Sequence, residues 1–159
     1  MARVTAGIAS IVTLILAAVA LGACGGGTTT KEKNAYAERV NAAQTKFAST
    51  VKTVAQEGSP KSSIGEQRSS LLRYEAAIVG VVDDLRRIDA PSDVSKEHEE
   101  LVSVMRRFAN DIGQANDAMR SPTPRSIESA KRRLRSATQS VNARVGAAVA
   151  AINVKLRGD

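Results

Sequence analysis

Four prolines limit what this chain can fold into. They stand at positions 60, 91, 122 and 124. Proline inside a helix removes a hydrogen bond and clashes with the preceding turn, but it is tolerated in connections and at helix starts. Between these positions, apolar side chains recur at steps of three and four, the spacing of a single helix face. Three breaks separating periodic stretches predict four helices.

The first helix is expected over about Lys31 to Glu57, with Tyr36, Val40, Ala43, Phe47, Val51 and Val54 on one face and Gly58, Ser59 and Pro60 ending it. The second is expected over about Ser62 to Ile88. It carries Ile64, Leu71, Ile78 and Leu85 at sevens, beside a row of Tyr74, Val81 and Ile88. Ser63 and Glu66 have the spacing of a capping box. The third, about Ser92 to Arg120, has the most regular pattern: Val94, His98, Leu101, Met105, Phe108, Ile112, Ala115 and Met119. Acidic side chains load its early turns and arginines come later, which suits the helix dipole. The fourth, about Pro124 to Leu156, has Ile127, Leu134, Val141 and Ala148 at sevens, with Val145, Ile152 and Leu156 alongside. Thr123 before Pro124 supplies an N-cap followed by proline at the first helical position.

Only Tyr36, Phe47, Tyr74 and Phe108 are aromatic and there is no tryptophan, so the core must be built from Ala, Val, Leu and Ile. Such side chains favour closely packed helices. Four helices of about 40 Å each, joined by short loops, run antiparallel to their neighbours. The expected fold is therefore all-α, an up-down-up-down antiparallel four-helix bundle over residues 31–159. Near-heptad spacing adds shallow crossing angles and a left-handed sense. Gly65, Gly80, Gly113 and Gly146 fall inside the helices, and the expectation is close backbone approach at helix contacts.

Residues 1–23 have a different character. Arg3 precedes an apolar stretch from Ile8 to Leu21, interrupted only by Ser10 and Thr13, and small residues follow. This is the layout of a secretory signal peptide, although Val4 to Ala23 also approaches the length of a membrane-spanning helix. The next residues decide between the two. Leu21, Gly22, Ala23 and Cys24 resemble the lipobox of bacterial lipoproteins, in which a branched apolar residue and two small ones precede a cysteine. The resemblance implies a diacylglyceryl group on the Cys24 sulfur and cleavage before that residue. It also accounts for an exported chain having one cysteine and no possible disulfide. Two acyl chains are enough for stable anchoring. Residues 24–30, the lipidated Cys24 and a Gly/Thr run, then read as a tether that keeps the domain roughly 12–15 Å from its anchor. The localisation implied is the cell membrane, lipid-anchored, on the extracytoplasmic side. Lys31 and Lys33 would lie near the headgroups.

Catalytic and metal-binding patterns fail residue by residue. His98 is the only histidine. It begins HEELV, so Val102 stands where a zinc-protease motif needs its second histidine. Ser95 stands where a di-iron ExxH pair needs glutamate, and no CxxCH exists for haem. His98 is read as a half-buried core histidine bonded to a neighbouring carboxylate. Asp83, Asp84, Asp89, Asp93 and Glu97 bracket the turn between the second and third helices without the glycine-centred loop of a calcium site, and are read as helix-start charge. No nucleophile elbow, Walker loop or carboxylate pair is present. The chain is read as non-enzymatic, with no cofactor and no metal.

One charged motif remains. Arg125, Lys131, Arg132, Arg133 and Arg135 form the strongest basic run in a chain of net charge +7; removing residues 1–23 leaves 22 basic against 16 acidic side chains. In a helix they fan over the exposed face beside Leu134, where the plain reading is a solvated surface and the functional one an anionic partner. Nucleic acid is excluded by export and by the absence of interleaved aromatics for base stacking. The expected partners are the membrane through the anchor, and an anionic lipid, a wall polymer or another envelope protein through this surface. Two functions fit: a binding or scaffolding module of the cell envelope, or an extracytoplasmic ligand-binding or sensory bundle with an apolar cavity near Met105 and Met119.

Overall fold

A computed structural model of the protein describes residues 29–57 and 63–158. The expected signal peptide, Cys24 and most of the tether lie outside those residues, as does the turn at Gly58, Ser59 and Pro60. The described residues are all-helical, in the order α1 (Thr30–Glu57), α2 (Ile64–Arg86), a single 3-10 turn (Ser92–Val94), α3 (Ser95–Ala118) and α4 (Pro124–Arg157). No helix among them is long and apolar enough to cross a membrane.

Local chemistry fixes where the helices begin. The Ser63 hydroxyl accepts from the Glu66 amide at 3.2 Å, and the Glu66 carboxylate accepts from the Ser63 amide at 2.6 Å, completing the expected capping box. Two more boxes follow the same logic. Thr29 exchanges the same pair of bonds with Glu32, so α1 starts within the segment expected as tether. Thr123 exchanges them with Ser126, with Pro124 at the first turn of α4. Each box satisfies two amides that a helix start leaves without partners. At its other end α4 closes on Gly158 in the left-handed region, φ 82°, a conformation that a β-carbon penalises.

The third helix departs from expectation at its start. Ser92 to Val94 forms the 3-10 turn behind Pro91, and α3 proper begins at Ser95, whose hydroxyl bonds back to the Ser92 carbonyl at 3.2 Å. That turn buries Val94 completely.

Closest packing runs along the chain, α3 against α4 and α2, and α2 against α1. One cluster draws buried side chains from all four helices, including Tyr36, Val40, Phe47, Ile78, Leu85, Leu101, Phe108, Ile112, Val149 and Ile152. A second, smaller cluster of Ala115, Met119 and Ala130 sits under Leu71 and Leu134, which touch both clusters. The side chains of Val51 and Val54 lie outside those described. Ile64, expected on the core row, is exposed instead; it is the first residue of α2, one position beyond the cap.

The glycines also depart from expectation. A β-carbon at Gly80 or Gly146 would meet nothing within 4 Å, and at Gly65 it would meet only the Ser63 hydroxyl. Among the described glycines, only Gly113 lies at a helix contact. There the Glu75 carboxylate of α2 comes within 2.6 Å of where a β-carbon would stand.

Candidate functional site

The basic run occupies the first third of α4, directly behind the Thr123 cap. Arg125, Lys131, Arg132, Arg133 and Arg135 are all exposed. Arg125, Glu128, Arg132 and Arg135 succeed one another at three, four and three residues, so they form one outward row, with Lys131 at its edge. Arg132 lies 3.6 Å from Glu128 in that row, and Arg133 turns to the opposite flank, 3.7 Å from Asp111 of α3. Among the described residues, Arg125, Lys131 and Arg135 have no acidic partner. Exposed pairs of this kind contribute little to stability, typically about 0–1 kcal/mol. The run is therefore electrostatic surface and not a brace for the fold.

A second polar group, interior and at the other end of the helices, went largely unforeseen. His98 is 6 % exposed, and its Nε2 lies 3.0 Å from the Leu85 carbonyl oxygen. A carbonyl can only accept, so Nε2 carries the proton. Nδ1 is then the acceptor of a hydrogen bond that the Tyr36 hydroxyl donates at 3.1 Å, with the two rings edge to face. The expected bond from His98 to a carboxylate is thus replaced by two bonds to a phenol and a backbone carbonyl, which tie α1, α2 and α3 together. Burial holds the imidazole below the usual histidine range, against the opposing influence of the Leu85 carbonyl and the Glu99 charge. Burial also pushes the Tyr36 hydroxyl upward, with the negative charge of Glu97 adding to it.

Glu97 brings in the fourth helix. One of its oxygens lies 2.9 Å from Lys155 Nζ near the end of α4, and the ammonium holds the carboxyl below its ordinary range. Its other oxygen is buried without a partner among the described residues. Nearby, Lys33 of α1 lies 3.7 Å from Asp93 and Lys46 lies 2.6 Å from Asp84. Three of the five acidic residues expected as helix-start charge therefore act as ties between elements. Among the described residues, no three metal-ligating side chains come together.

The sequence held a signal for the Tyr36–His98 link that went unused: each residue puts a polar atom on an otherwise apolar row, and such atoms need one another when buried. Glu97 gave no such signal, because three acidic residues in HEE and its flank look alike until Lys155 is brought beside one of them. Met105 is packed into the main cluster and Met119 into the smaller one. The concavities beside α3 are open grooves with charged rims, such as the one between Glu97, Glu100, Arg144 and Ala148.

Comparison of the chain with protein-family models, with curated proteins and with solved structures finds no match.

Proposed function

We propose that this protein is a membrane-anchored extracytoplasmic lipoprotein that works without catalysis, as a binding or scaffolding module of the bacterial cell envelope. In this reading the LGAC segment directs lipidation of Cys24. The four helices stand as an antiparallel up-down-up-down bundle, and the basic start of α4 is the contact surface. The bundle is supported by ties that join chain-distant ends: Lys33 with Asp93, Tyr36 with His98, Lys155 with Glu97, and Arg68 with Asn116. The observation that carries the contact surface is the set of exposed cations, Arg125, Lys131 and Arg135, with no acidic partner among the described residues. A protein surface normally intersperses charges of both signs, and a row whose cations outnumber its one carboxylate, Glu128, favours an anionic partner. Burial of Met105 and Met119 in packed clusters argues against the cavity-based sensory reading.

Two measurements test it. Cys24→Ser should abolish metabolic fatty-acid labelling and release the protein from membranes; unchanged labelling removes the anchor. Charge reversal at Arg132, Arg133 and Arg135 should reduce retention on anionic wall fragments or vesicles, and unchanged retention in every envelope fraction removes the basic surface.

A further inference from the structure

The tethered end and the basic row lie at opposite ends of the helices. Lys33 and Tyr36, in the first two turns of α1, are joined to Asp93 and His98. Glu97, beside His98, is joined to Lys155, two residues before the end of α4. The end of α4 is therefore level with the start of α1, which follows the tether. Counting back along α4 at 1.5 Å per residue, Arg135 stands about 30 Å from that level and Arg125 about 45 Å.

We infer that the basic row engages a linear polyanion of the envelope, a polymer bearing repeated phosphate or carboxylate groups, beyond the headgroups of the membrane that holds the protein. The inference rests on the anchored reading above and adds to it which anion is bound. Three features of the surface carry it. First, the separation of about 30–45 Å is several times the ~8 Å over which exposed charges act at physiological ionic strength. Second, the row extends about 15 Å from Arg125 to Arg135 along one helix, and apart from Glu128, which faces Arg132, its charges are cations spaced to suit a chain of anions more than one small ligand. Third, a bundle lying flat to bring α4 onto the lipid would lay down, beside the row itself, the longer stretch of residues 139–154, in which Arg144 is the only charged side chain. That stretch gives anionic headgroups little to hold. The tethered end offers them no net surplus either, since Lys31, Lys33, Lys96, Lys155 and Arg157 stand against Glu32, Asp93, Glu97, Glu99 and Glu100, with Lys33 tied to Asp93 and Lys155 to Glu97.

The test uses the lipidated full-length protein in vesicles of phosphatidylcholine with about one third phosphatidylglycerol. Soluble polyphosphate serves as the polyanion. Wild type should bind polyphosphate, and the triple variant R125Q, K131Q, R135Q should bind at least tenfold more weakly at unchanged helicity. Its log–log salt slope should be shallower by roughly two, as expected for three lost cation–phosphate contacts. A fluorophore on Ser136→Cys should escape quenching by headgroup-labelled lipid that quenches one on Thr29→Cys. Equal polyphosphate affinity in wild type and triple variant overturns the row as the binding surface. Equal quenching at both positions overturns the standoff and assigns the row to the membrane. Absence of lipid on Cys24 is a separate failure: it removes the anchor and the standoff together, while the comparison of wild type with the triple variant still reports on the row alone.

Discussion

The two buried tyrosines permit a paired test in which the same chemical change has opposite expected effects. Tyr36 is 2 % exposed and its hydroxyl donates to His98 Nδ1 at 3.1 Å. Tyr74 is 6 % exposed and its hydroxyl is buried with no partner among the described residues, in a ring cluster with Phe47 and Phe108 at centroid distances of 6.3 and 6.0 Å. Tyr36→Phe keeps the ring but leaves a buried nitrogen acceptor without its donor, a loss of about 1–3 kcal/mol. Tyr74→Phe keeps the ring contacts and removes a hydroxyl that gains nothing in the folded state, so it should be neutral or stabilise by up to about 1 kcal/mol. For a domain of this size, each kcal/mol moves Tm by roughly 3–6 °C. Urea unfolding followed by circular dichroism should then show the Tyr36→Phe midpoint falling by on the order of 1 M and the Tyr74→Phe midpoint level or higher, both with wild-type slopes. Nitrogen-15 shifts of the His98 ring should report a proton on Nε2 in the wild type. Equal losses for the two variants, or no loss for Tyr36→Phe, would refute the assignment of the Tyr36–His98 bond as a stabilising tie.

Further expectations come from the glycines and from pH. Gly80→Ala and Gly146→Ala should each raise stability by about 0.5–1 kcal/mol, because the new methyl meets nothing within 4 Å and helix propensity favours alanine; Gly113→Ala, which must displace the Glu75 carboxylate, should gain less, and thermal melts of the three variants rank them. Burial places the folded-state pKa of His98 below its unfolded value, so the unfolded chain binds more protons and stability falls as pH drops below about 6.5. The slope cannot exceed about 1.4 kcal/mol per pH unit, and His98→Gln should flatten stability between pH 6.5 and 5. The carboxyls of Glu32, Glu66 and Glu97 are all held below their ordinary range by hydrogen bonds. They contribute stability above about pH 4.5 that is lost as pH falls through their folded-state values, and the His98→Gln variant should keep this acid limb.

Elements set by local chemistry were the ones legible in the sequence. Ser63 with Glu66 and Thr123 with Pro124 mark helix starts through atoms within four residues of each other, and proline excludes itself from helix interiors whatever surrounds it. The 3-10 turn over Ser92–Val94 was not legible, because it depends on seating Val94 in the core, which is a tertiary event. The glycines misled for the opposite reason. Glycine at a helix contact and glycine in open space have the same sequence signature, and only the position of Glu75 relative to Gly113 tells them apart. His98 was rightly read as a core residue with the wrong partners, since three acidic neighbours in sequence outweighed a tyrosine 62 positions away. The basic run was legible as charge. Its distance from the start of α1 depends on the Lys155–Glu97 tie, which pattern alone does not reveal.

How the interior ties are distributed bears on how this molecule can be altered. Buried or partly buried polar connections concentrate near the start of α1 and the end of α4, where Tyr36, Leu85, His98, Glu97 and Lys155 link all four helices. At the start of α4 the smaller cluster of Ala115, Met119 and Ala130 supplies the buried contact, and the charged side chains above it make exposed pairs or none. Apolar area buried there is small, so α4 is held chiefly by its later turns, through Val141, Val149, Ile152 and Leu156. Folding and surface charge are thus carried by separate parts of one helix. Neutralising Arg125, Lys131 and Arg135 removes no interior contact and breaks no tie between helices, so a binding loss in that variant reads out the surface and not the fold. The converse holds for Lys155, whose removal would leave Glu97 charged in a partly buried site without its ammonium while leaving the basic row untouched.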